Sequence, residues 1–190
     1  MSSNLGHLKG EPLMCSTMDI DDPLRRRVHE LGIAALDALP LPDHTIFHME
    51  IFDTRRRGLV VNEVASRVGG ARIDAMLAAA FGTGAVEAHL REVTRSAGRA
   101  LPPAEPRQMA SFAMARPRPG VLQALPQRCP LPGVVRYEAL ATRGSRLTGP
   151  TNVVSAVSSV ITVGEDRAAS ESRLAEAMRW LGERTVIADE

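Results

Sequence analysis

Residues 45–70 read TIFHMEIFDTRRRGLVVNEVASRVGG, and the fold class rests on them. Ile46 to Phe52 is rich in β-branched and aromatic residues, the composition of a strand. Thr54 to Gly58 is polar and basic and closes on glycine, which suits a tight turn. Leu59 to Val64 is apolar and β-branched again, interrupted by Asn62 and Glu63. Alternation along the first strand puts Ile46, His48 and Glu50 on one face and Phe47, Met49 and Ile51 on the other. Folding Ile51 back on Val60 or Val61 brings Glu50 and Glu63 onto adjacent strands, with paired side chains about 5 Å apart.

Two bare carboxylates that close repel, and one stays protonated unless a cation sits between them. A hard divalent ion resolves the conflict, since Mg²⁺ commonly takes one or two carboxylates and fills its shell from substrate phosphates and water. The pattern equally describes two solvated glutamates on the open face of a hairpin. The residues after Glu63 favour the metal. Arg67 is a fixed cation just past the second carboxylate, and Gly69 and Gly70 let backbone approach a ligand closely.

The run HMEIFDTRRRGLVVNEVASRVGG resembles the metal-binding end of an ATP-grasp ligase. In that family one acid stands on a strand and a second on the next, closed by an arginine. Here these are Glu50 in FHMEIF, then Glu63 and Arg67 in NEVASR. The resemblance implies that Glu50 and Glu63 hold Mg²⁺ (or Mn²⁺) against ATP phosphates. It implies that Arg67 is catalytic, steadying an acyl phosphate, and that Gly69 and Gly70 line the phosphate or acceptor side. The implied reaction is ATP-dependent joining of a carboxylate to an amine, a C–N ligation. The sequence departs from many members at Ala65, where they carry a ligating asparagine. Asn62 is not taken as its replacement, because strict alternation sends its side chain to the face opposite Glu63.

The flanks suit the same α+β fold. Asp22 to Leu39 has an amphipathic helical pattern, with an Asp cap, Pro23 at the start, and Pro40 and Pro42 beyond the end. Ala71 to Phe81 and Gly84 to Arg99 read as two more helices. Leu101 to Arg107 is proline-rich and reads as a linker. Beyond it, Gln108–Ala115, Gly133–Ala141 and Asn152–Val163 are candidate strands, Arg167–Leu181 an amphipathic helix, and Thr185–Ala188 a short strand. The expected organisation is a loose segment 1–21, the C-terminal part of an ATP-grasp domain over 22–100, a linker at 101–107, and a small α+β subdomain over 108–190.

Composition narrows the function further. The net charge is +1, with 23 basic residues against 22 acidic ones. All the basic residues but Lys9 are arginine, they are scattered, and aromatic residues make up 3%. Both features argue against a nucleic-acid surface. No apolar run reaches transmembrane length, and Met1 to Pro12 lacks the apolar core of a signal peptide. Cys15 and Cys129 lack metal spacing, so a reducing cytoplasm is expected. Of the five histidines only His48 shares the face of Glu50, as a neighbour of the site or a partly buried structural residue.

The family's other half has no counterpart in this sequence. No glycine-rich phosphate loop is present, and the lone Lys9 sits in an unpatterned segment. ATP and a small carboxylate or amine substrate are the expected ligands, and a missing N-terminal half or second subunit the expected partner. Positioning of a phosphoryl group needs contacts from several sides, so weak ATP binding and no turnover are expected of the chain alone. The alternatives are a non-catalytic binding module derived from such an enzyme, and an α+β structural protein without a ligand.

Overall fold

A computed structural model describes residues 11–42, 44–94, 103–152 and 154–189. In chain order these form β1 (Leu13–Ser16), α1 (Pro23–Asp37), β2 (His48–Thr54), β3 (Gly58–Ala65), α2 (Ile73–Phe81), α3 (Ala85–Val93), β4 (Met109–Ala115), β5 (Gly120–Ala124), β6 (Val134–Ala139), β7 (Arg146–Leu147), β8 (Ser158–Gly164), α4 (Arg167–Arg184) and β9 (Val186–Ala188). The strand pairings among the described residues are antiparallel, so the expected α+β class holds.

The core is built on a four-stranded sheet in the order β1-β4-β8-β6. The central strands MASFAMA and SSVITVG are buried on both faces, which is why neither alternates between apolar and charged residues. Phe112, Met114, Ile161 and Val163 turn to one side and pack with Met76 and Ala80 of α2. Ala113 and Val160 turn to the other and meet Leu174, Ala177 and Leu181 of α4. Three buried hydroxyl groups on this second side satisfy one another or backbone. Ser111 Oγ and Ser170 Oγ are 2.7 Å apart, and Thr162 Oγ1 donates to the Ser170 carbonyl at 2.8 Å.

Several elements differ from the sequence expectation. Leu13–Ser16, expected to be loose, is a strand paired with β4 from Leu13↔Met114 to Ser16↔Ser111. Four residues are too few to show a period, yet their backbone completes the hydrogen bonding of β4. The strand expected from Asn152 begins only at Ser158. Before it, Asn152 Oδ1 accepts from the Val154 N–H at 3.0 Å, a side-chain turn that competes with strand pairing. The third helix ends at Val93 rather than Arg99, with residues 95–99 outside the described residues. Strands β5 and β7 come after proline–glycine and arginine–glycine turns and join β9 in a three-stranded sheet, order β7-β5-β9. Residues 106–108 are tied down: the Arg107 N–H donates to the Ala80 carbonyl at 2.8 Å and Gln108 Nε2 to the Ala79 carbonyl at 3.0 Å.

The first part of the fold is thinner. β2 and β3 form their own two-stranded sheet, and α1 packs against β3. Asp22 caps α1, accepting from the Leu24 N–H at 2.8 Å, with proline in the first turn as expected. No residue of α1, β2 or β3 is fully buried.

Candidate functional site

The β2–β3 hairpin owes its geometry to Thr54 and Gly58. Gly58 has φ 66°, a left-handed value that glycine adopts without strain. Thr54 Oγ1 donates to the Gly58 carbonyl at 2.9 Å and accepts from the Arg57 N–H at 3.0 Å. This turn pins the register Thr54↔Gly58 and, further along, Ile51↔Val61 and Glu50↔Glu63. The two glutamates expected to oppose each other therefore do so. Their side chains are about one-third and one-half exposed.

Asn62 does not lie where strict alternation places it. The register shifts between Glu50 and Ile51, leaving Asn62 as the extra residue of a β-bulge. Strict alternation fails there, and Asn62 Nδ2 donates to Glu50 Oε2 at 3.2 Å. The amide thus lies on the carboxylate side, not the opposite one. Arg67 Nη2 is 3.5 Å from Glu63 Oε1, and its Nη1 donates to the Val68 carbonyl at 3.1 Å. Asn62 and Arg67 each occupy one carboxylate oxygen, leaving Glu50 Oε1 and Glu63 Oε2 without a hydrogen bond among the described residues.

His48 belongs to this cluster, with Nε2 3.9 Å from Glu50 Oε1. Its Nδ1 lies where a side chain on Gly69 would collide: a Cβ there would stand 2.9 Å from both Nδ1 and Ile73 Cδ1. Gly70 differs, for nothing lies within 4 Å of the position its Cβ would take. Of the two glycines, only Gly70 presents open backbone beside Arg67.

Sequence reading missed the anchor of this turn. Ala71 has φ 57°, and the next residue, Arg72, crosses to the central sheet. Its Nε donates to Ser159 Oγ at 3.0 Å and its Nη2 pairs with Glu138, which also receives Arg136 Nε at 2.7 Å. Single residues on β6 and β8 carry no local signal for such a link.

The donor set fits a hard cation. The two opposed carboxylates are hard oxygen donors, and among the described residues no group of three or more His, Cys, Asp or Glu is gathered to hold a metal. A cation held here would take its remaining ligands from phosphate and water, the usual habit of Mg²⁺.

No family profile matches the chain, and neither does any curated protein. Solved structures do. The chain is similar to the L-amino acid ligase of Bacillus licheniformis, with 15% identity and a TM-score of 0.70 over 93% of this chain and 44% of that one. It is similar to the phosphoribosylglycinamide synthetase of Anaerococcus prevotii (12%, TM-score 0.69, 94% and 45%). It is also similar to the biotin carboxylase domain of a single-chain bacterial carboxylase (21%, TM-score 0.62, 93% and 41%). At these identities the likeness is one of fold. The fold is the ATP-grasp fold, and the chain spans less than half the length of each of these proteins.

Proposed function

We propose that this chain is the C-terminal part of an ATP-grasp ligase that joins a carboxylate to an amine. The observation that carries the reading is Glu50 directly opposite Glu63, with Arg67 on the second carboxylate. Glu50 and Glu63 would hold Mg²⁺ or Mn²⁺, which supplies charge neutralisation of the ATP phosphates. Arg67 has its carboxylate partner at 3.5 Å and about half of its side chain exposed, so it is free to turn onto a phosphoryl oxygen. Gly70 offers the open backbone on which an acceptor or phosphate would rest, and Gly69 keeps His48 seated. In the reaction a substrate carboxylate oxygen bonds to the γ-phosphorus and ADP leaves. An amine then bonds to the acyl carbon and phosphate leaves. A cytoplasmic setting goes with this reading, and no described helix is long and apolar enough to cross a membrane.

The test is calorimetric titration of Mg²⁺·ATP into the full chain beside Glu63→Gln. Binding by the parent that is lost in the variant supports the metal hairpin. Equal binding by both would remove Glu63 from the site.

A second reading, a non-catalytic partner subunit, has its own support. Ile33 on α1, Phe47 before β2 and Phe52 on β2 are each more than 40% exposed, on a part of the fold with no buried residue. Under this reading one or more of these exposed side chains docks on a polypeptide supplying the rest of the fold. Ile33→Glu and Phe52→Glu should then abolish capture of that polypeptide while leaving the circular dichroism unchanged.

A further inference from the structure

A cavity of about 380 Å³ opens between α2, α3 and the segment leading into β2. None of Glu50, Glu63, Arg67, Gly69 or Gly70 lines it. Leu77 and Phe81 stand one turn apart on α2 and face Ala85 and Ala88 of α3, whose small side chains leave the space open. Ile46 closes the third side. The angle between the helices is fixed. Asp74 Oδ1 on α2 accepts from the Val86 N–H at 3.0 Å, so one helix caps the next. Gly84 permits that approach, since a Cβ there would come within 2.8 Å of the Asp74 carboxylate.

The mouth is polar. Ala85, Ala88, His89 and Glu92 recur on one face of α3. Glu92 Oε1 is 3.0 Å from His44 Nδ1. His44 reaches it with φ 56°, in the left-handed region that few non-glycine residues occupy, and Thr45 Oγ1 braces the same turn on the Pro42 carbonyl at 2.6 Å. Glu92 Oε2 has no partner among the described residues. Among the described residues the lining contains this one carboxylate and neither lysine nor arginine.

We infer that the cavity is a binding site for a small molecule with an apolar body and a protonated amine head, the head held on Glu92. The volume falls within the range of small-ligand pockets, roughly 300–1,000 Å³, and the mix of apolar walls with few convergent polar groups is theirs too. An anionic head would meet Glu92, and among the described lining residues the groups able to offset it are His44, already engaged with Glu92, and His89, whereas a purely apolar molecule would bury the polar mouth unpaired. The inference stands apart from the ligase reading, because the two sites share no residue.

Benzylamine is a suitable probe, with benzyl alcohol and phenylacetate as neutral and anionic comparators, titrated into the ¹⁵N-labelled full chain and followed by amide shifts. Benzylamine should move the amides of Ala88 and His89 and bind best of the three. Glu92→Gln should weaken it roughly tenfold, the factor for a lost hydrogen bond to a charged group. Ala88→Phe fills the cavity and should abolish binding. Ala85→Leu does the same from the helix start, should Ala88→Phe fail to fold. Benzyl alcohol or phenylacetate binding as tightly as the amine would overturn the charge assignment. Amine binding that survives filling, or no shifts at all in the parent, would overturn the site.

Discussion

Gly69 and Gly70 are neighbours with opposite surroundings. An added methyl on Gly69 runs into His48 Nδ1 and the Ile73 side chain, while one on Gly70 meets open space. Neither residue has a positive φ, so the difference is one of room and not of backbone strain. Gly69→Ala should therefore destabilise the chain by about 1–3 kcal/mol, the cost of forcing packed groups apart. Gly70→Ala should stay within about 0.5 kcal/mol. Urea unfolding of the two variants separates them, and equal losses would mean that the turn relaxes around either methyl. Gly70→Ala is then also the cleaner probe of ligand approach, because any loss of nucleotide binding it causes cannot be charged to unfolding. At this scale the opposition of Glu50 and Glu63 was legible in the sequence, since the turn at Gly58 fixes which residues can oppose. The sequence did not show Asn62 beside Glu50, because one extra residue in a bulge leaves no mark on an alternating pattern. Nor did it show Arg72 on Ser159, a link across 87 positions.

Among the elements, α4 was the plainest in sequence and is the most firmly seated. Its apolar stripe of Leu174, Ala177 and Leu181 is buried against β4 and β8, and Asp166 caps its start by accepting from the Ala169 N–H at 2.6 Å. Its first turns also carry a pH-sensitive tie. Burial raises the Glu171 pKa, but hydrogen bonds from Arg167 (2.7 Å) and Ser16, with the Arg167 charge, outweigh it and leave the carboxyl below its ordinary value. A carboxyl with a lowered folded-state pKa adds stability above its unfolded value and loses it as pH falls through the folded one. Glu171→Gln should lower the urea midpoint at pH 7, and the gap to the parent should shrink towards nothing below the ordinary glutamate range near pH ~4.3. A gap that does not narrow as the pH falls would assign the effect to packing. The short elements, β1, β5 and β7, were illegible for the converse reason. They are held by pairing with distant strands, and two to five residues cannot display a period.

Across the whole molecule, burial and chemistry are unevenly shared. The fully buried apolar side chains lie on α2, β4, β5, β8, α4 and β9 or, as with Val157, just before β8, and none is on α1, β2 or β3. Yet β2 and β3 carry both carboxylates, and an isolated two-stranded hairpin is marginal in water. The candidate site is thus built on a hairpin without a fully buried side chain, tied to the sheet through Arg72 and Glu138. Amide exchange should reveal this as two tiers. The β4 and β8 amides should exchange only with global unfolding, and those of β2, β3 and α1 through smaller openings, at rates orders of magnitude higher. A site on a low-stability element gains most visibly from its ligand, since saturation at 100 times Kd adds about 2.7 kcal/mol to whatever opening it opposes. Saturating Mg²⁺·ATP should then slow exchange in β2 and β3 selectively and leave β4 and β8 unchanged. Two tiers without that slowing would favour the docking role, with the hairpin stabilised by a polypeptide partner instead. A single tier would mean that the Arg72–Glu138 tie couples the hairpin fully to the sheet, and Arg72→Ala should then restore the fast tier.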